Sequence, residues 1–193
     1  GIIGCGMMGH EHLNNIKLLA GTNISVIFEP NRDMAQSALK VAPEALFADN
    51  LEGLLEFSDL DCLVIASPNH CHLPQLRKIA EMRNLPILVE KPLFTACEDK
   101  EIILNFARDY KSPVWVAMEY RYMPPISSFM DAVEAVTGGI KMLTIREHRF
   151  PFLCKVGDWN RFNTNSGGTF VEKCCHFFDL MRLITKSEPK RIM

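Results

Sequence analysis

The 193-residue chain is 48% hydrophobic and 23% charged, which excludes a disordered or fibrous protein and supplies apolar surface for one full core and part of a second. Lys and Arg number 21 against 23 Asp and Glu, a formal net charge of -2, so the basic excess of a nucleic-acid binder is missing. The seven cysteines are odd in number and include the adjacent Cys174 and Cys175, a poor disulfide framework that suits a reducing, cytoplasmic setting, and no apolar run approaches the roughly 18 residues of a membrane span.

The chain opens at Gly1 and passes straight into Ile2, Ile3 and Gly4, which read as the end of a strand. Lys190, Arg191, Ile192 and Met193 read as the opening of another, so the sequence is read as a fragment. From residue 1 to about 118, short apolar runs alternate with helix-period segments, the pattern of a parallel sheet with crossover helices. Six strands are expected, at residues 1–3, 24–28, 45–47, 62–66, 87–89 and 114–117. Between them Leu13, Ile16 and Leu19 share a helix face, as do Leu51, Leu54 and Leu55, and Leu73, Leu76, Ile79 and Ala80; these are core stripes. Thr95 and Glu98 have capping-box spacing ahead of an apolar segment at 102–106. Pro124 and Pro125 then break the rhythm, a helix-like stretch runs to Val136, and Gly138-Gly139 turns the chain into an expected strand from Ile140 to about Phe150. The division is therefore a parallel-sheet α/β domain over residues 1–121 and the start of a second domain over 122–193.

Gly4-Cys5-Gly6-Met7-Met8-Gly9 is a G-x-G-x-x-G run between a strand and a helix. The first glycine permits the tight turn, the second lets backbone approach a pyrophosphate, and the third packs helix on strand. The helix N-terminus then offers its free N–H groups to the phosphates, with Met7 and Met8 in that turn. Glu29 lies twenty residues after Gly9, where a carboxylate can accept from the adenosine ribose hydroxyls; it favours NAD over NADP. Arg32 leaves NADP open, because a guanidinium there could neutralise a 2′-phosphate, although a solvated helix-start residue is the plainer reading.

With strand order 3-2-1-4-5-6 the chain reverses between strands one and four, opening a crevice at their carboxyl ends. Ser67-Pro68-Asn69 with His70 and His72, Glu90-Lys91-Pro92, and Glu119-Tyr120-Arg121 all fall at such ends. One ligand lying across the crevice accounts for them together. His10 and His12 lie too close to the helix start, and too far from any cysteine pair, to suggest zinc; no metal site is expected.

The glycine run, Ser67-Pro68-Asn69 with His72, Glu90-Lys91-Pro92, and Gly167-Gly168 followed by Glu172 and His176, taken in order through nearly the whole chain, resemble the Gfo/Idh/MocA oxidoreductases. The resemblance implies a Rossmann domain, with its doubly wound parallel sheet, followed by an α/β domain with a mostly antiparallel sheet, of which this chain would hold only part. It implies a homo-oligomer as well. It further implies that Lys91 contacts the substrate hydroxyl and the nicotinamide ribose, aimed by Pro92, and that Ser67, Pro68, Asn69, His72 and Glu90 surround the cofactor.

His176 would take the hydroxyl proton, a task its ordinary pKa near 6.5 suits. Glu172, one helical turn earlier, would point at the same substrate. The family commonly has Asp at the Glu172 position, and Lys173 and Cys174 depart from its usual apolar and small residues; Lys173 either adds a second cation to the site or, the plainer reading, faces water. Tyr120 and Arg121 are candidates for substrate or cofactor contact, or for an interdomain anchor. Trp159, with Asn160 and Arg161, either lines the substrate pocket or covers the sheet. The resulting expectation is an NAD(P)-dependent dehydrogenase or reductase acting on a secondary alcohol or ketone of a sugar, polyol or similar compound. An NAD-dependent glycosidase of the same fold and a non-catalytic dinucleotide sensor are the alternatives.

Overall fold

The computed structural model describes residues 1–148 and 153–191, apart from the Glu98 side chain. The six expected strands form one parallel sheet: β1 (Ile2–Ile3), β2 (Val26–Phe28), β3 (Leu46–Phe47), β4 (Leu63–Ile65), β5 (Ile87–Val89) and β6 (Val114–Val116), in the order β3-β2-β1-β4-β5-β6. The crossovers carry α1 (Met7–Lys17), α2 (Arg32–Val41), α3 (Leu51–Leu55), α4 (His72–Met82) and α5 (Lys100–Asp109).

Helices cover both faces of the sheet, so successive strand residues are buried against different partners. Ile3, Val26, Leu63 and Ile65 pack with Leu54, Leu55, Leu76 and Ile79 on one side. Ile2, Ile27 and Val64 pack with Leu13 and Ala38 on the other. Two residues expected in the core are outside it. Leu19 lies beyond the end of α1 and is 59% exposed, and Ala80 faces solvent on α4.

The Asn31 side chain caps α2 by accepting from the Asp33 and Met34 N–H groups, and Asn50 caps α3 by accepting from Gly53 N–H. Before α5 a 3-10 turn at Cys97–Asp99 intervenes, and neither N-cap residue, Ala96 or Asp99, makes a side-chain cap bond among the described residues. The expected Thr95–Glu98 capping box involves a side chain outside the described residues.

After β6, a 3-10 turn (Glu119–Tyr122) leads into α6 (Pro124–Thr137), which starts on its two prolines and stops at Gly138 in the left-handed region (φ 68°). The strand expected from Ile140 is not seen over residues 140–148, while Arg149 and Phe150 lie outside the described residues. Leu143 and Ile145 are half-buried between exposed neighbours, a strand-like alternation. A strand also needs a ladder, and among the described residues β6 pairs only with β5. The segment continues through a 3-10 stretch (Val156–Arg161) into α7 (Asn163–Ser166), α8 (Gly168–Glu172) and α9 (Cys175–Thr185). The strand expected at the C-terminus begins with Lys190 and Arg191, which are irregular, and Ile192 and Met193 lie outside the described residues.

Candidate active site

A cavity of about 570 Å³ lies at the carboxyl ends of β1, β2, β4 and β5, where the strand order reverses, and the later helices close one side of it. At one end of it, Gly4 sits at φ 89°, and a Cβ there would lie 2.5 Å from the Ser67 backbone nitrogen. A Cβ on Gly9 would come 2.2 Å from the Gly4 carbonyl oxygen. Gly9 therefore does not line the cavity; it lets α1 press against the loop. A Cβ on Gly6 would meet nothing within 4 Å, and Gly6 does line the cavity, with Met7 and Met8. The α1 N-terminus has no side-chain cap and no acidic residue in its first turn, so its orphan N–H groups and positive dipole end are available to an anion. This cradle fits the diphosphate of a dinucleotide.

Glu29, at the end of β2, lines the same cavity but is 6% exposed and tied to main chain. Its Oε2 accepts from Cys5 N–H (2.6 Å) and its Oε1 from Asn31 N–H (2.9 Å). It thus braces the glycine loop against the start of α2, a role in addition to the one expected from sequence. Burial, with the nearby Glu29 charge, pushes the Cys5 thiol up to about 12, so this cysteine is a packing residue.

Ser67, Pro68, Asn69, Glu90 and Lys91 line the cavity beyond the loop. Ser67 donates to Gln75 Oε1 (2.6 Å), and Asn69 donates across to the Ser166 carbonyl (3.3 Å), stitching the sheet to α7. Glu90 pairs with His12 of α1 (2.8 Å), a contact across 78 residues that no local pattern announces. His72, expected beside the cofactor in a structural role, packs behind the cavity wall. It is fully buried, its ring nitrogens meet the Pro92 (2.7 Å) and Ser67 (2.9 Å) carbonyls, and it does not line the cavity. It fastens the Ser67 loop to the Lys91 loop, whose Lys91-Pro92 peptide is cis, and burial lowers its pKa despite those two bonds.

At the other end Lys91, Glu172 and His176 converge on the cavity wall. The Lys91 ammonium donates to the Glu172 carbonyl (3.0 Å). Glu172 and His176 do not share one helix as the four-residue spacing predicts: α8 ends at Glu172, the chain kinks through Lys173 and Cys174, and α9 begins at Cys175. The kink begins after Gly167 and Gly168, both at positive φ; a Cβ on Gly167 would strike Val171 at 2.6 Å.

His176 is 3% exposed and stacks on the Tyr120 ring (4.2 Å between centroids, 9° between planes). Its Nε2 lies 3.5 Å from Glu119, and its Nδ1 is buried with no hydrogen-bond partner among the described residues. Burial, then the positive charges of Lys91 and Lys173, lower its pKa to about 4, so the imidazole is neutral at pH 7. Glu119, half-exposed above it, is raised by burial.

Two residues with open alternatives now have partners. Lys173 is not in water: it is 6% exposed, bonds to the Tyr120 hydroxyl and to Glu147 (2.9 Å), and sits over the Tyr120 and Phe177 rings. Arg121 is not among the residues of the cavity wall; its guanidinium forks onto Asp179 of α9, with Nε 2.5 Å from Oδ2, making it an anchor between segments. Trp159 does line the cavity, edge-on to His70 (6.2 Å). Lys155 was not singled out from the sequence. It lines the cavity and brings its amine within 4.0 Å of Met7 Sδ, and burial pulls its pKa down.

Residues 1–118 match the oxidoreductase family's NAD-binding Rossmann fold, and residues 133–190 match the same family's C-terminal α/β domain. The chain belongs to the Gfo/Idh/MocA oxidoreductase family. Among curated members of this family it is 27% identical over 191 residues to the rhizopine catabolism protein MocA of Rhizobium meliloti, covering 98% of this chain and 57% of that protein. It is 29% identical over 183 residues to an inositol 2-dehydrogenase of Corynebacterium glutamicum, covering 94% and 52%. The chain thus spans about half the length of the Gfo/Idh/MocA relatives it matches. The crystal structure of Lactobacillus casei myo-inositol dehydrogenase with NAD(H) and myo-inositol shares the fold, with a TM-score of 0.76 at 18% identity, over 100% of this chain and 57% of that one.

Proposed function

We propose that the protein is an NAD-dependent oxidoreductase that moves a hydride between a nicotinamide cofactor and a secondary alcohol or ketone of a polyhydroxylated, sugar- or polyol-like substrate. The observation that carries this reading is that Lys91, from the end of β5, and His176, from α9, line one cavity with an uncapped glycine loop. Gly4, Gly6, Met7 and Met8 would hold the diphosphate, with Gly9 behind them, and Glu29 the adenosine ribose. The Glu29 charge disfavours a 2′-phosphate, and the exposed Arg32 is not among the residues that line the cavity. Ser67, Pro68, Asn69 and Glu90 would flank the nicotinamide half.

A bound nicotinamide supplies a hydride acceptor or donor. In the oxidative direction the Lys91 ammonium polarises the substrate oxygen and stabilises the negative charge that grows as its proton leaves. The neutral His176 imidazole accepts that proton. Glu172 accepts from neighbouring substrate hydroxyls, and Trp159 closes the apolar side of the pocket. The inositol dehydrogenase relatives support a polyol substrate, and the seven free thiols support a cytoplasmic setting. In this reading residues from 122 onward begin a substrate domain whose mostly antiparallel sheet also joins protomers.

A panel of polyols and sugars, offered with NAD and then NADP to the intact protein, tests the proposal through the absorbance of reduced nicotinamide. Reduction of NAD by at least one polyol is expected. Tight dinucleotide binding with no net turnover in either direction would overturn it in favour of a sensor, and released aglycone without net reduction would point to a glycosidase.

A further inference from the structure

Lys173 is a cation withdrawn from water beside the candidate proton acceptor, at a position the proposed reaction leaves without a task. Its ammonium bridges the Tyr120 hydroxyl and Glu147, and that hydroxyl is itself 3.4 Å from Glu147 Oε1. The phenol's polar end is thereby engaged within the protein, and the part of Tyr120 that meets the catalytic group is its ring, flat on the His176 imidazole. Burial lowers the Lys173 pKa, but its bonds to Tyr120 and Glu147 outweigh that and hold it above its ordinary value, so the charge is permanent at working pH.

We propose that Lys173 is a positioning residue for the reaction: through Tyr120 it clamps the His176 ring in one orientation, and its own fixed charge adds to the positive field at that ring. The proposal rests on the reading of His176 as the acceptor. The other groups around His176 are Lys91 after β5, Glu90 beside it, Glu119 on the turn after β6, and Cys175 and Asp179 on α9. Of these Lys91 acts in the same direction as Lys173, while Glu90 and Asp179 oppose both.

The test is the titration of the His176 ring by NMR in the intact protein, alongside the pH profile of kcat/KM. Lys173→Met should raise the His176 midpoint, and the acid limb of the profile with it, by about one unit, and lower kcat about tenfold. Lys173→Arg should restore most of both. Glu147→Gln should move the midpoint the opposite way, because the ammonium then loses a compensating charge. Opposite shifts from two neutralising changes cannot come from general loosening, and they remain readable if one variant folds poorly. An unmoved midpoint in Lys173→Met, or same-sign shifts in the two variants, overturns the proposal. Full turnover by His176→Ala, with these titration shifts intact, would instead overturn the reading of His176 while leaving the electrostatic coupling established.

Discussion

The two ends of the cavity are built from different materials. The dinucleotide end is main chain: glycines without side chains, an uncapped helix start, and a glutamate spent largely on bracing backbone. The opposite end is side chains drawn from two separated stretches, with Lys91, Lys173, Glu172 and His176 all nearly buried or lining the wall. Main-chain recognition depends on shape and fails by steric intrusion. Charge-based chemistry depends on balance and fails when one partner is removed. Mutations at the two ends should therefore fail in different observables.

Lys91→Ala is expected to show the largest effect. Losing the cation at the reacting oxygen should lower kcat about a thousandfold, roughly 4 kcal/mol of transition-state stabilisation. The dinucleotide Kd should stay within about threefold, since the cradle holds the diphosphate through backbone N–H groups rather than through Lys91. Retained kcat would break the contrast at its source. Gly9→Ala should do the reverse of a catalytic mutation. Its methyl would sit 2.2 Å from a backbone oxygen that cannot swing aside, so thermal unfolding should report a loss of about 3 kcal/mol. Gly6→Ala, with nothing within 4 Å of the new methyl, should leave the melting temperature unchanged and weaken the dinucleotide at least tenfold by calorimetry.

This contrast also explains what could be read from the residues alone. The sheet order and the dinucleotide end were legible because their signals are local: glycine spacing, a following helix, and an acid at the end of the next strand. The convergence of Lys91, Glu172 and His176 on one cavity was signalled only by motifs strung through the chain. The charge network around it was not. Lys173 beside Cys174 reads as a solvated residue until α9 folds back on the Glu119–Tyr122 turn, and Lys155 has no periodicity or partner in sequence that would mark it. The roles of His72 and Arg121 could not be narrowed from the residues around them, because their partners, Pro92 and Asp179, are 20 and 58 residues away. The expected strand at residue 140 failed on the same ground, since alternation is local but a ladder is not.

The Arg121–Asp179 fork sharpens the correction next. Asp179 is 9% exposed, so Arg121→Met strands a carboxylate that folding has largely taken out of water, and unfolding in urea should show a loss of about 2–3 kcal/mol. Because the guanidinium is part-exposed, the loss should sit at the lower end of that range. Adding Asp179→Leu should recover part of it, and KM should stay unchanged throughout. A raised KM with unaltered stability would return Arg121 to the substrate.

The smallest effect is in pH, and His176 is one source of it. His176 titrates near 4 when folded against about 6.5 when unfolded, so between those values the unfolded chain binds more protons and stability falls as pH drops. Lowering the pH from 7 to 5 should then cost about 1.5–2 kcal/mol from this group, and His72, also lowered by burial, acts in the same direction. Glu119 is raised when folded and works the other way, more weakly because it is half-exposed. Urea unfolding at both pH values should show the drop shrinking in His176→Gln by about that amount. The dinucleotide Kd should be nearly level over the same range, because backbone N–H groups do not titrate; a Kd that tracked the His176 transition would mean that the two ends are coupled through the cavity rather than merely adjacent.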